Sequence, residues 1–524
     1  MTTTADATRT RGGRVVRGFA ALVCGQGIRT FGHLLLVPLY LRYWSATAYG
    51  EWLALASLTA YLSTFDLGVN TAGVNRLTQE YARGDADAYA RYQAAALAFY
   101  TVVAVAGSLL LAAAAWLLPL AAWLGLRAIS PDEAAWVAWL LGAQILLAMP
   151  VGFMAAVYRT TGRLAWTEWL GNARAVAALA LVPLVLGLGG GMPALAASQL
   201  LPLVAIVAFV LWHLRRSWPA LLPRLPLARV HALRVLLAPS LLFALMTLAN
   251  ALTLQGAVLL LVTQLGGAVV AVFVVSRTLT SLVRQAVFTV NNALWPHLTA
   301  LEATEDYPRL RTMHRLSVLG SSALAVAFAA ALWHVGEEVI AVWTSGRLGA
   351  DVTLLHLLLV QVALQAPWVA SSVLPAAFNR PRILAAATAA ASVVGLAVAA
   401  LLVDPLGAWA VPIGLITGEA LACYVFVPRE ACRLARADYR PFALRQWLTL
   451  SAAAALAFPA AAGAAWLIGG PAVLRWGLVG MAAFTGSLLA VWLVGLGADE
   501  RAMALRAGRA SLARLGLLPA AQEA

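Results

Sequence analysis

RYWSATAYGEWLALASLTAYLSTFDLGVNTAGVNRLTQEYARGDADAYAR, residues 42 to 91, is a long apolar segment that carries an acid, Asp66, and an amide, Asn70, and runs out into a mixed-charge loop at Gly84 and Asp85. A relative of it occurs further along. Without gaps, Leu58-Thr59 corresponds to Leu279-Thr280, Asn70 to Asn291, Leu77-Thr78 to Leu298-Thr299 and Asp85 to Asp306. Leu, Ala and Val coincide by chance in so apolar a chain, so the Asn and Asp matches carry the argument. They predict a duplicated membrane bundle.

Composition agrees with that reading. Of 524 residues 62% are hydrophobic and only 11% charged, with a mean hydropathy of +0.84, far from the usage of an ordinary soluble domain. Apolar runs of roughly 20 residues, each long enough to cross about 30 Å of hydrocarbon, recur from near the N-terminus to Gly495. Continuous runs predict helices, because barrel strands would be short and alternating. The net charge of +14 is carried by arginines in short connections between apolar runs, which marks membrane orientation and speaks against a nucleic-acid partner. Cys24, Cys423 and Cys432 have neither disulfide nor metal-site spacing, and no metal or cofactor is expected.

The periodicity predicts an all-α polytopic membrane protein of about fourteen spans, one of them continuous over residues 49–75. Alternate connections hold most of the arginines, including Arg76, Arg83 and Arg91, the Arg215 to Arg234 cluster, and the Arg429 to Arg445 segment. The opposite connections hold few, among them Arg42, Arg127 and Arg347. Both termini are therefore expected in the cytoplasm, which fits an even number of spans. The proline-containing connection after residue 214 divides the chain. Residues 1–214 are expected to form a lobe of roughly six helices with a basic N-terminal tail, 215–232 a linker, 233–435 a second such lobe, and 436–524 two further helices with a basic tail. The two lobes would be related as a parallel repeat.

Charges at bilayer depth cost about 2.5 to 3.5 kcal/mol on insertion scales and usually face a cavity or a partner. Arg29, Arg174, Arg277 and Arg284 lie that deep. Arg277, Arg284 and Asn291 are spaced by sevens on one helix face, with Ser281 beside them. In the first half Thr59, Ser63, Asp66 and Asn70 form a comparable stripe, and Gln26, Arg29 and His33 another. One reading pairs Arg29 with Asp66 as a packing contact. The other is a cavity with surplus positive charge, whose natural ligand is an anion, since guanidinium suits phosphate or pyrophosphate. Asp66 and His33 are then the candidates for a counter-charge or a coupling ion. Glu168 and Glu419 lie nearer span ends and are expected to be solvated or locally paired. No HExxH, GxSxG or phosphate-binding loop occurs, no catalytic residue is expected, and the outer connections are too short for the acids of a membrane glycosyltransferase.

Pro38-Leu39-Tyr40-Leu41, AlaThrAlaTyrGlyGluTrp at 46 to 52, PheAspLeuGlyValAsn at 65 to 70, AlaArgGlyAsp at 82 to 85 and PheAsnArgProArg at 378 to 382 form an ordered set. It resembles the polysaccharide transporter branch of the multidrug, oligosaccharidyl-lipid and polysaccharide (MOP) flippase superfamily, which includes bacterial O-antigen flippases. The resemblance implies alternating access between two lobes and translocation of a polyprenyl-pyrophosphate-linked oligosaccharide across the bacterial inner membrane. It also implies a cationic cavity with Arg29, Asp66, Arg277 and Arg284 as its candidates, and a lipid-linked glycan, membrane lipid and the polymerase and glycosyltransferases of the same pathway as partners. Arg174 has no counterpart at the shifted position in the second half, so the cavity would be asymmetric. A small-molecule or drug exporter of the same superfamily is the nearest alternative reading. A twelve-helix facilitator and a polysaccharide polymerase are more distant ones.

Overall fold

The computed structural model describes residues 24–502, except 29–30, 33, 162, 224–229, 238–240, 379, 469 and 499. It is all-helical, a polytopic membrane bundle. In chain order the main helices are α1 (Leu34–Tyr43), α2 (Ala46–Ala60), α3 (Val69–Arg83), α4 (Ala86–Leu117), α5 (Pro131–Ala155), α6 (Leu164–Gly187), α7 (Leu200–Ser217) and α8 (Leu241–Ala251). Then follow α9 (Ala257–Leu265), α10 (Gly267–Ala303), α11 (Tyr307–Trp343), α12 (Val352–Ser371), α13 (Arg382–Leu406), α14 (Ala410–Ala422), α15 (Tyr439–Leu467) and α16 (Ala472–Ala490). Among the described residues eleven helical stretches are long and apolar enough to cross a membrane, and one of these, Arg382–Leu434 with 53 residues, is long enough to cross twice.

The chain divides into two compact units. The first comprises Met1–Val275, Ile340–Gly349 and Thr388–Gly418; the second comprises Ser276–Val339, Ala350–Ala387 and Glu419–Ala524.

In the first unit the span expected to be continuous over 49–75 is broken. After α2 the chain tightens into a 3₁₀ turn, Tyr61–Asp66, and then Leu67 (φ 49°) and Gly68 (φ 73°) both adopt the left-handed conformation before α3 begins. Glycine takes that conformation without a Cβ clash, and a leucine does so only where the surroundings enforce it. The break packs against α8, and the helix after α8 is itself irregular, with a π-helical turn over Leu252–Gly256. A Cβ on Gly256 would approach the Tyr61 hydroxyl to 3.1 Å, so the two irregular segments touch.

Small residues set the closest crossings. A Cβ on Gly50 of α2 would stand 1.7 Å from the carbonyl oxygen of Gly267, and one on Gly267 would stand 2.5 Å from that of Thr47. Helices in lipid associate by such backbone approach, because lipid tails offer no hydrophobic drive to bring helices together. α13 and α14 cross in the same way. Gly414 and Gly418, four residues apart, lie against Gly395, Ala399 and Ala391.

Next to Gly50, Glu51 is 1% exposed and holds the loop before α5. Its carboxylate accepts the backbone N–H groups of Arg127 (2.7 Å), Ala128 (2.9 Å) and Ile129 (3.2 Å). Three otherwise orphaned donors thus share one buried acid. Glu51→Ala is expected to loosen this loop, and limited trypsin digestion should then cut after Arg127 about tenfold faster than in the parent chain, as a loss of about 1.4 kcal/mol of local protection implies. Equal cutting rates would show that the loop is held by other means.

In the second unit α15 and α16 form a hairpin packed along α11. Val326, Ala330 and Val335 of α11, Ala453, Ala457 and Ala461 of α15, and Val479 and Ala483 of α16 make one apolar cluster. Glu338 of α11 binds Arg475 and accepts the Trp476 indole N–H at 2.8 Å, and Arg315 near the other end of α11 pairs with Glu500. Trp476 therefore makes a specific hydrogen bond, a role beyond anchoring at an interface.

Candidate functional site

Among the described residues, the second unit contains a dense polar cluster within the spans. α12 places Gln361, Gln365 and Trp368 on one face through spacings of four and three. All three donate to a single acceptor. The Glu419 carboxylate near the end of α14 takes Gln361 Nε2 at 2.8 Å and Gln365 Nε2 at 2.9 Å on one oxygen, and Trp368 Nε1 at 3.3 Å on the other. Glu419 is 5% exposed. It is neither solvated nor locally paired, as its position near a span end suggested. Its partners are on another helix, where sequence spacing along its own helix cannot reveal them.

The cationic stripe of α10 meets this cluster. The Arg284 guanidinium lies within electrostatic reach of Glu419 and of the Arg277 guanidinium, two turns away on the same face. Both arginines are half-buried. Ser281, between them, donates to its own helix at Thr278 O (2.7 Å). Beyond Glu419, the Tyr424 hydroxyl is buried without a hydrogen-bond partner among the described residues, and its ring packs on Trp447 at 6.0 Å. Two guanidiniums, a carboxylate, two amides, an indole N–H and a free phenol can bind an anionic or strongly polar head group in a low-dielectric setting, where each hydrogen bond gains strength.

Asn291, the third member of the stripe, is 1% exposed and fully engaged. Its amide donates to Val287 O (2.7 Å) and Ser321 Oγ (2.9 Å) and accepts from Ser317 Oγ (2.6 Å), which joins α10 to α11. Its counterpart Asn70 is half-buried and gives its backbone N–H to Asp66 Oδ1 at 3.4 Å. Asp66 closes the 3₁₀ turn and caps the start of α3, and the buried hydroxyl of Tyr100 from α4 also donates to it. The described partner of Asp66 is thus a tyrosine and a helix N-terminus. Arg29 and His33 lie outside the described residues. Arg174 is half-buried on α6, in the first unit, and Glu168 on the same helix pairs with Arg159 at 3.8 Å. The second unit thus brings Arg277 and Arg284 together with Glu419, while Asp66 and Asn70 meet at the helix break of the first. No group of three or more His, Cys, Asp and Glu side chains arranged to hold a metal ion occurs among the described residues.

Tyr100→Phe would leave Asp66 short of its strongest donor while keeping the shape of the core. A loss of about 1 to 3 kcal/mol is expected, read as a lower melting temperature in detergent. An unchanged melt would mean that water replaces the phenol at no cost.

No protein-family model matches the chain, and no curated protein matches it. Solved structures do. An inward-facing multidrug resistance MATE family transporter of the MOP superfamily superposes with a TM-score of 0.64 at 17% identity, over 77% of this chain and 98% of that one. The fold is that of a MATE transporter. The outward-facing conformation of a multidrug resistance MATE transporter matches with a TM-score of 0.58 at 16% identity, covering 81% of this chain and 96% of its own. A MOP superfamily transporter from Pyrococcus furiosus, described as having a binding pocket of reversed polarity that suggests a different function, gives 0.56 at 16% identity over 80% and 96%. At 16 to 17% identity this likeness shows the fold alone, and it does not reach the polysaccharide branch.

Proposed function

We propose that the chain is a secondary transporter that exports an amphiphilic organic molecule by alternating access. One observation carries this reading: the fold spans nearly the full length of MATE transporters solved in both inward- and outward-facing conformations. The sequence has no nucleotide-binding motif, so the energy source is an ion gradient or the membrane potential. Two of the neighbours named above are multidrug resistance transporters, which favours a small organic substrate. The arginine distribution supports both termini in the cytoplasm, and the resemblance to bacterial flippases implies the inner membrane.

A second reading, translocation of a polyprenyl-pyrophosphate-linked oligosaccharide, is favoured by the Arg277 and Arg284 pair and by the sequence motifs of the polysaccharide branch. The pair suits a pyrophosphate. Proteoliposomes separate the two readings. Efflux of an organic dye driven by a pH or sodium gradient supports the exporter. Lipid-linked glycan that passes to the opposite leaflet without elongation supports the flippase. Elongation of the glycan, or movement of neither substrate under any imposed gradient, would count against a transporter.

A further inference from the structure

The N–H donors that meet the Glu419 carboxylate are ones that an external anion would also use. Gln361, Gln365 and Trp368 turn their N–H groups onto its carboxylate, and Arg284 lies within its field without forming a direct ion pair. The geometry points to Glu419 as a tethered competitor for the anion-binding groups of the second unit: charged, it occupies them and repels an anionic head group; protonated, it yields them to one.

The inference rests on the transporter reading for the amphiphilic nature of the ligand, and it adds the charge of the head group and its control. The ligand class is an organic phosphate or pyrophosphate, which Arg284 binds through parallel N–H donors. Binding and proton uptake then favour each other, because the anion and the Glu419 carboxylate repel one another at short range in a medium of low dielectric. Arg284 of α10 is the charged group that senses Glu419, with Arg277 further along the same face. Its contacts on α12 are two amides and an indole, which do not titrate. Cys423 and Tyr424, just beyond it in the chain, also feel its charge, and both ordinarily ionise above about pH 8.

The test is calorimetric titration of the full chain in detergent with dodecyl phosphate and, separately, with inorganic pyrophosphate, between about pH 5 and about pH 7.5. If Glu419 competes as inferred, dodecyl phosphate is expected to bind about tenfold or more tightly at the acid end than at the neutral end, and to take up protons from a weakly buffered solution as it binds. The ligand's own second ionisation, near pH 6, works in the opposite direction, so it cannot produce this trend. Glu419→Gln is expected to bind at all pH values as tightly as the parent does in acid. Arg284→Gln is expected to bind in neither condition. Pyrophosphate binding with the same pH trend would show that the head group suffices; binding of dodecyl phosphate alone, with that trend, would assign the site to a membrane-borne phosphate. Binding in the parent chain that is independent of pH, or absence of proton uptake, overturns the proposal whether or not Glu419→Gln folds. Failure of both probes to bind overturns it too, while gradient-driven dye efflux would still leave the transporter reading standing.

Discussion

Arg284→Gln is expected to reduce the initial transport rate in proteoliposomes by at least about a hundredfold while the protein remains folded. The size follows from the chemistry. A guanidinium offers two parallel charge-assisted hydrogen bonds to a phosphate or carboxylate, together about 3 kcal/mol, which corresponds to roughly two powers of ten in affinity. The fold should tolerate the change, because an arginine within a span costs about 2.5 to 3.5 kcal/mol on insertion scales, and the shorter glutamine removes that charge while keeping an N–H donor. Arg277→Gln in the same chain should add to the loss, since the two guanidiniums lie on one face of α10. Monodisperse elution with an unaltered rate would remove these arginines from the substrate path.

The second large effect concerns the crossing of α13 and α14. A Cβ on Gly418 would stand 2.2 Å from the Ala391 carbonyl oxygen, and one on Gly414 would stand 2.3 Å from that of Gly395 and 2.8 Å from the Ala399 amide nitrogen. These obstacles are backbone atoms, which cannot rotate out of the way. A leucine at both positions forces the helices apart and removes the van der Waals contact that brings them together in lipid. Gly414→Leu combined with Gly418→Leu is expected to cost more than about 4 kcal/mol, seen as loss of monodisperse protein on extraction. Normal yield and an unchanged melting temperature would show that the crossing is replaceable.

Some of this could be read from the residues, and the reasons for success and failure are physical. Hydropathy and the sevens of α10 identify spans and a cationic face, because both depend on one helix at a time. Hydropathy cannot see the break at Leu67 and Gly68, since a 3₁₀ turn and an α-helix are equally apolar; Gly68 was the only local sign, and the left-handed Leu67 is imposed from outside. The role of Glu419 is not visible along its own helix because its partners are more than fifty residues away on α12, where the helical spacing of Gln361, Gln365 and Trp368 is the one signal of a polar face. Glu51 sat in a quoted motif without a role, since what it binds is the backbone of a distant loop. The glycine pair at 414 and 418 has close-packing spacing, but in a chain so rich in small residues that spacing does not single it out. The first-helix candidates Arg29 and His33 lie outside the described residues, so the first unit contributes Asp66, Asn70 and Arg174 to the comparison.

The hairpin of α15 and α16 bears on how the protein is made. Arg315 and Glu338 are on α11, about 35 Å apart along the helix by its rise per residue, and their partners Glu500 and Arg475 lie well downstream and are synthesised long after α11. For the time it takes to synthesise the residues between, α11 sits in or near lipid with an acid and a base that have no counter-ion from the hairpin. A chain stopped before Ala472 would expose that defect permanently, and would present a membrane protease with two uncompensated charges on one helix. Neutralisation of α11 therefore waits until α16 and Glu500 beyond it have been made.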